Sequence, residues 1–267
     1  MIFYKFGLNG RLKPYPTANI YKFFHNLFVA TFIERKDKNM TFNGFPKEGL
    51  DFLDEIISNN SKEWLDANRD RYEKYIVEPN KAYVEEMGEH LQILVPSINA
   101  IPKTNKSLFR IYRDARYHLS DPIKTRIGVI FWQGQTHRMQ SSSFYMHYDS
   151  KEVFVATGIR NFKPPLLATY REYIQNREKR AELHNILETL KAKGYQLPEP
   201  AYKRYPRDFN KDEPHAYLAL YRSMYAFTTF VPNKVFHSEK IIDKNFKIYE
   251  DMMPLQEWVY ELTLYGE

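Results

Sequence analysis

Residues 125–133 have the sequence TRIGVIFWQ, in which every second residue is a large apolar one: Ile127, Val129 and Phe131. This period of two is typical of a β-strand that packs one face against a core. Two further stretches, residues 144–148 and 152–159, flank the turn-forming pair Asp149-Ser150 and predict a β-hairpin. The middle of the chain therefore predicts neighbouring strands of one sheet.

Helical patterns precede these strands. Residues 46–58, 60–76 and 79–95 each place their apolar side chains on one helical face, and the block from residue 40 to residue 100 carries 6 basic and 12 acidic residues. Asn60 and Glu63 have the spacing of a capping box. We expect three helices here, with Asn60 as the N-cap of the second.

Helical patterns also follow the strands. Pro164 is placed to open a helix, and a second helix is expected to end with Gly194 at its C′ position. Residues 217–230 are aromatic and β-branched enough for another strand, and Ser238 is expected to cap a closing helical pair interrupted at Pro254. Because the strands cluster instead of alternating with helices, residues 40–267 predict a single α+β domain with a central antiparallel or mixed sheet. Helices from both ends are expected to pack on that sheet.

The first 39 residues differ from the rest of the chain. They hold seven basic and two acidic side chains, and Pro14, Pro16 and Gly10 interrupt any amphipathic helix. Regular patterning starts at Met40. We expect residues 1–39 to be an extension outside the fold, with translation starting at Met40; the alternative is a basic, aromatic arm that contacts a membrane surface or a partner.

Composition excludes several classes of protein. The chain has no cysteine, which excludes disulfides, thiolate zinc sites and a thiol nucleophile, and it has no apolar run long enough to span a bilayer. The net charge of +6 falls to +1 without residues 1–39, so it is no argument for nucleic-acid binding, which we consider unlikely. His118, His137 and His147 lack metal-ligand spacing. We expect a cytoplasmic protein with no metal and no cofactor.

The remaining charge is segregated along the chain. Residues 103–138 carry 8 basic and 2 acidic groups, residues 151–211 carry 13 and 7, and residues 212–267 carry 5 and 9. The two central blocks are thus basic and the two outer blocks acidic. We expect helices of the outer blocks to face the central blocks with complementary charge.

The densest group of functional side chains lies in residues 109–117, sequence FRIYRDARY. If this segment is extended, Arg110, Asp114 and Arg116 share one face, and two guanidinium groups then flank a carboxylate. Converging guanidinium groups suit phosphate or carboxylate recognition. The alternative is a structural ion network, in which Asp114 and acidic residues of the first helices neutralise the arginines.

The ordered series of motifs resembles the family catalogued as domain of unknown function 2461. The resemblance covers about residues 41–262 and rests on these motifs: Asn59-Asn60 before Trp64, Tyr72, Pro79, the core from Arg110 to Tyr117, Pro122 to Thr125, Gly158, Gly194-Tyr195, and Lys203 to Phe209. Between Arg116 and Pro122 this chain lacks the lysines that members more often carry. The family name implies no activity.

Three classes of function are compatible with the sequence. The first, which we favour, is a binding domain for a small anionic ligand (phosphate or carboxylate) or for an acidic group of a partner. The second is an enzyme acting on phosphoester or carboxylate substrates, with Asp114 or a histidine as acid or base. The third is a nucleic-acid binder. The candidate anion-binding residues are Arg110, Arg113, Asp114, Arg116 and Lys124, with Arg204 and Arg207 as a second edge.

Overall fold

The structure is a computed structural model, and it describes residues 41–114, 116–207 and 209–265 together with two short strands near the start of the chain. Those strands, β1 (Tyr4–Phe6) and β2 (Leu12–Pro14), pair antiparallel with each other. The rest of residues 1–40 lies outside the described residues, so the expectations about the extension and its start site remain predictions.

A five-stranded antiparallel sheet forms the centre of the protein, in the strand order β3-β4-β5-β6-β7. Its strands are β3 (Ile98–Asn99), β4 (Ile127–Gln133), β5 (Ser143–Tyr148), β6 (Val153–Ile159) and β7 (Met224–Phe230). The hairpin predicted at Asp149-Ser150 is confirmed: the Asp149 carboxylate accepts hydrogen bonds from the backbone N–H groups of Lys151 and Glu152, both at 2.9 Å. The three stretches predicted as strands, residues 125–133, 144–148 and 152–159, form the central strands β4, β5 and β6.

The N-terminal helices are α1 (Lys47–Ser58), α2 (Lys62–Ala67), α3 (Arg69–Tyr72) and α4 (Glu78–Leu94), with a π-helical turn (Glu73–Val77) joining α3 to α4. The prediction that Asn60 caps the second helix is wrong. Ser61 is the N-cap, and its hydroxyl accepts a hydrogen bond from Trp64 N at 3.1 Å. Asn60 instead holds Ile123, because its amide donates to Ile123 O and accepts from Ile123 N at 2.9 and 2.8 Å.

The C-terminal elements are α5 (Pro164–Tyr173), α6 (Arg177–Ala192), a 3-10 turn (Ala216–Leu220), α7 (Ile241–Asp251) and α8 (Met253–Leu264). Gly194 has a positive φ of 88° and ends α6, with Gly194 N bonded to Lys191 O and Tyr195 N to Leu190 O, the Schellman pattern. The prediction that Ser238 caps α7 by its side chain is wrong. Its hydroxyl donates to Val235 O, and the N-cap position is Lys240.

One face of the sheet carries the helices. Helices α4, α7 and α8 contact its strands, and a continuous core joins them to the inward residues of β4, β5 and β6. Two buried amides fasten helices within this core: Asn80 donates to Tyr148 Oη at 2.7 Å, and Asn245 donates to Tyr83 Oη at 2.8 Å. The prediction of a single α+β domain with helices from both ends is therefore confirmed.

Of the helices that the structure describes, none is long and apolar enough to cross a lipid bilayer.

Candidate functional site

Among the described residues, no helix of the core packs on the second face of the sheet, which is lined by small and aromatic residues. Strand alternation directs Ile127, Val129 and Phe131 into the helical core, so Gly128 and Ile130 point to the opposite side. On β5 the opposite side carries Ser143, Tyr145 and His147, and on β6 it carries Phe154, Ala156 and Gly158. This surface, which we call the open face, positions the candidate site.

A cavity of about 220 Å³ lies on the open face. Its floor consists of three small residues, Ser143, Ala156 and Gly158. These residues are adjacent because Ser143 pairs with Gly158, and Ala156 lies two residues before Gly158 on the same face of β6. Ser143 Oγ donates to Gly158 O at 2.9 Å, so the hydroxyl is held down against the backbone of the next strand. The cavity exists where three short side chains interrupt the aromatic surface.

Aromatic rings form the walls of this cavity. Phe109 and Tyr145 stand edge to face, with ring centres 5.8 Å apart, at the β4 side, and Tyr225 of β7 stands at the other side. Phe154 stacks against His147 at 4.7 Å with an interplanar angle of 12°. Packed rings lose little freedom when a ligand contacts them, so the walls are rigid before binding.

Three arginines line the same cavity, and all three lie outside the strands of the sheet. Arg126 directly precedes β4, Arg138 lies in the loop between β4 and β5, and Arg160 directly follows β6. Arg138 lies over the Phe109 ring at 4.3 Å and donates a hydrogen bond to Lys106 O. Burial lowers the pKa of Arg138. In the described part of the chain, none of the three guanidinium groups forms an ion pair with a carboxylate, and no Asp or Glu lines the cavity.

His147 is a neutral imidazole in this setting. Its side chain is 12% exposed, and its Nε2 faces Arg126 Nη1 at 3.4 Å. Since a guanidinium can only donate, Nε2 accepts and the ring proton sits on Nδ1. Burial, and then the charge of Arg126, lower the pKa of His147 to about 4, against the opposing effect of Asp149. The cavity therefore has three positive charges at neutral pH and a histidine that adds none.

Tyr145 responds to the same surroundings. Burial raises the pKa of its phenol, while the charges of Arg160 and Arg126 act in the opposite direction. The charges of Arg126 and Arg160 thus act on both Tyr145 and His147. A neutral phenol here remains available as a hydrogen-bond donor.

Comparison with known proteins places the chain in a family. The model of the conserved hypothetical protein family DUF2461 matches residues 48–258. The chain belongs to this family. The resemblance seen in the sequence motifs is thereby confirmed, and the matched range contains the whole cavity. Neither a curated protein nor a solved structure matches this DUF2461 protein.

The arginine segment of this DUF2461 protein lies next to the cavity. It is irregular rather than a continuous strand, with a single bridge between Tyr112 and Ile123. Arg110 is exposed, and its carbonyl accepts a hydrogen bond from Lys124 Nζ at 2.6 Å. The pKa of Lys124 is lowered by burial and then by the charges of Arg110, Arg113 and Arg138. Lys124 therefore lies within electrostatic reach of both the arginine segment, through Arg110 and Arg113, and the cavity, through Arg138.

The other predicted residues are engaged elsewhere or exposed. Asp114 pairs with Arg116, with the Arg116 Nη2 to Asp114 Oδ2 distance at 2.6 Å, and this pair holds the pKa of Asp114 far below its usual range. Arg116 is 78% exposed, so the alternative of a buried network with helix carboxylates is wrong for this residue. Arg113 contacts Asp121 at 3.4 Å. Arg204 and Arg207 are exposed on a loop that is anchored by buried Phe209 against Arg180.

Sequence reasoning missed Arg126, Arg138, Arg160 and Tyr145, and treated His147 as an isolated histidine. One signal was available. A sheet face open to water usually alternates charged or polar residues with the core residues, whereas the outward positions of β5 and β6 include no Lys, Arg, Asp or Glu: they are Ser, Tyr, His, Phe, Ala and Gly. Arg138 and Arg160 lie outside the strands, where no periodicity predicts which side they reach.

Proposed function

We propose that this DUF2461 protein binds a small organic anion, a phosphate or a carboxylate, in the cavity of the open face. The observation that carries the proposal is the combination of three arginines in the lining of one aromatic cavity with no carboxylate among the described residues that line it. A ligand group bearing negative charge would complete the pairing that these described residues leave open.

The electrostatic argument concerns the cost of the unpaired cations. Like charges that line one cavity repel each other, and the half-buried Arg138 also loses hydration, whereas Arg126 and Arg160 are exposed to solvent. The lowered pKa values of Arg138 and Lys124 reflect that cost. A bound phosphate or carboxylate would offset it with bidentate, charge-assisted hydrogen bonds. Elsewhere in the chain, arginines such as Arg71 and Arg180 have carboxylate partners.

The sequence-predicted cations enter the proposal as the rim of the same site. Lys124 contacts the Phe109 ring at 6.0 Å, and Phe109 is a wall of the cavity. Arg110 and Arg113 add positive potential at Lys124. Arg116 is neutralised by Asp114, and Arg204 and Arg207 lie on a separate loop, so we do not include these three in the site.

An enzymatic role has less support from the geometry. His147 has a pKa of about 4, so at neutral pH it is not the imidazolium that a general acid requires, and its Nε2 lone pair already faces Arg126. Asp114 is held ionised by Arg116 on the exposed segment. We therefore propose binding rather than acid–base catalysis.

Isothermal titration calorimetry and thermal unfolding test the proposal with paired probes. Phenyl phosphate and benzoate supply the charge, and uncharged benzamide supplies the same ring without it. We expect both anions to stabilise the protein, by about 1.4 kcal/mol at ten times the dissociation constant, and benzamide to have no such effect. If neither anion stabilises the protein more than benzamide does, the proposal is wrong.

Two matched variants locate the binding site. Arg160→Gln removes a cavity guanidinium that has no carboxylate partner in the described residues, so we expect the fold to persist and anion affinity to fall about tenfold or more. Arg207→Gln removes an exposed arginine on the loop and should leave affinity unchanged. Equal losses in both variants would indicate a diffuse charge effect instead of this cavity.

A further inference from the structure

The aromatic walls of the cavity indicate the shape of the ligand in addition to its charge. Four rings, Phe109, Tyr145, Phe154 and Tyr225, border it, and each is partly exposed. Tyr225 pairs with Gly158 of the floor, and Tyr145 pairs with Ala156. Neighbouring strands lie about 4.8 Å apart, so the rings of β5 and β7 are separated by about two strand spacings across β6. The space between them lies over the small residues of β6.

Aromatic residues already stack in one direction across this face. His147, Phe154 and Phe227 form a continuous row over three strands, with interplanar angles of 12° and 22° and ring centres 4.7 and 5.0 Å apart. In the next cross-strand row, Tyr145 and Phe227 flank Ala156 of β6, which occupies the position where a further ring would stand. The row of rings is therefore interrupted at the cavity.

We propose that the organic part of the anion is a flat aromatic ring that takes this missing place on the open face, with its charged group directed to the arginines. This inference rests on the proposed function and adds the class of ligand: aryl or heteroaryl phosphates and carboxylates. Ring surfaces favour offset or edge-to-face contacts with other rings beyond the area that they bury. Shape and charge thus select the two halves of the ligand independently.

A comparison of phenyl with cyclohexyl ligands tests the inference. Phenyl phosphate and cyclohexyl phosphate carry the same charge on a six-membered carbon ring, and so do benzoate and cyclohexanecarboxylate. The saturated ring is the bulkier and more apolar of each pair, so burial of apolar area alone predicts that it binds at least as well. We expect the phenyl member of each pair to bind about three- to tenfold more tightly.

Two variants of Tyr225 test whether the preference for phenyl over cyclohexyl ligands comes from the cavity walls. Tyr225→Phe keeps the ring, and Tyr225→Leu removes it while it retains an apolar side chain at this half-buried position. The phenyl preference should survive in the first variant and disappear in the second. Far-ultraviolet circular dichroism and the unfolding midpoint establish that both variants are folded.

The outcomes separate this inference from the proposed function. If cyclohexyl and phenyl anions bind equally, or if the preference persists in Tyr225→Leu, the aromatic class is wrong, while anion binding stands. If inorganic phosphate or acetate binds but none of the four ring compounds does, the aromatic class is also wrong. If no anion binds, the proposed function fails first. Where anions do bind, the ratio of the dissociation constants of phenyl phosphate and benzoate shows whether the site prefers phosphate or carboxylate.

Discussion

The neutral His147 predicts a specific dependence of stability on pH. Its ring is packed between Phe154 and the Arg126 guanidinium, which disfavours the imidazolium and lowers the pKa to about 4. An unfolded chain gives a histidine a pKa of about 6.5. The unfolded state therefore binds the proton more readily than the folded state does at every pH between these two values.

The sign and size of the effect follow from this difference. A folded pKa below the unfolded value gives stability that is present above the unfolded pKa and is lost as the pH falls towards the folded pKa. The loss is about 1.4 kcal/mol for each pH unit in this window. From about pH 7.5 to about pH 4.5, His147 alone should lower the free energy of unfolding by about 2.5 kcal/mol.

Urea denaturation of the parent protein and of His147→Phe isolates this contribution. Phenylalanine keeps a ring against Phe154, and all other titrating groups, including the neighbouring Glu152 and Asp149, remain in both proteins. The difference in unfolding free energy between parent and variant should change in favour of the variant as the pH falls. A difference that stays constant across this range, or an NMR titration of His147 with a midpoint above pH 6, would refute the reasoning.

Two further substitutions test the structural assignments. Arg116→Ala should leave the urea midpoint unchanged, since the Asp114–Arg116 pair is exposed to solvent; a marked loss of stability would mean that the pair is part of a buried network. Gly158→Ala should cost about 2 kcal/mol or more, because φ is +121° and a Cβ would lie 2.2 Å from Met224 O. Gly194→Ala, at φ +88° with no atom within 4 Å of the Cβ, should cost less and separates backbone strain from collision.

The fold was predictable because local patterns and tertiary structure agree. Period-two alternation located β4, β5 and β6, and prolines and Gly194 located helix ends. The errors concern caps and the second predicted helix, residues 60–76, which the structure divides into α2, α3 and the π-helical turn. Asn60 and Ser61 are both good N-cap residues, and the spacing to Glu63 favoured Asn60, whereas Ser61 is the N-cap. The side-chain amide of Asn60 is used by the backbone of Ile123, and the local sequence gives no sign of that distant contact.

The candidate site was predictable only in its chemistry. Converging arginines were expected, and the segment from Arg110 to Lys124 borders the cavity through Phe109. Arg126, Arg138 and Arg160 lie apart in the sequence, and the sheet brings them to the lining of one cavity. Arg126 precedes β4 at the end of the sheet where β6 begins, whereas Arg160 follows the other end of β6. Density of charge along the chain measures local composition, whereas this cavity is lined by residues of several strands and loops.

The expected match between acidic and basic blocks explains part of this arrangement. It holds between residues 151–211 and 212–267, where these pairs form: Arg180–Glu213, Lys179–Glu261 and Lys193–Asp251. The N-terminal acidic block behaves differently, because three of its twelve carboxylates pair with cations of the same block: Arg71–Glu55, Arg69–Glu73 and Lys81–Glu78.

The basic block of residues 103–138 is consequently left with its own two carboxylates. Asp114 pairs with Arg116 and Asp121 with Arg113, which leaves six of its eight cations without either partner. Lys124, Arg126 and Arg138 are among these, and all three lie at the cavity or its rim. Among the described residues, no carboxylate of the N-terminal acidic block forms an ion pair with these cations. Positive potential at the open face thus comes from the segregation of charge along the chain, which the net charge of +1 for residues 40–267 conceals.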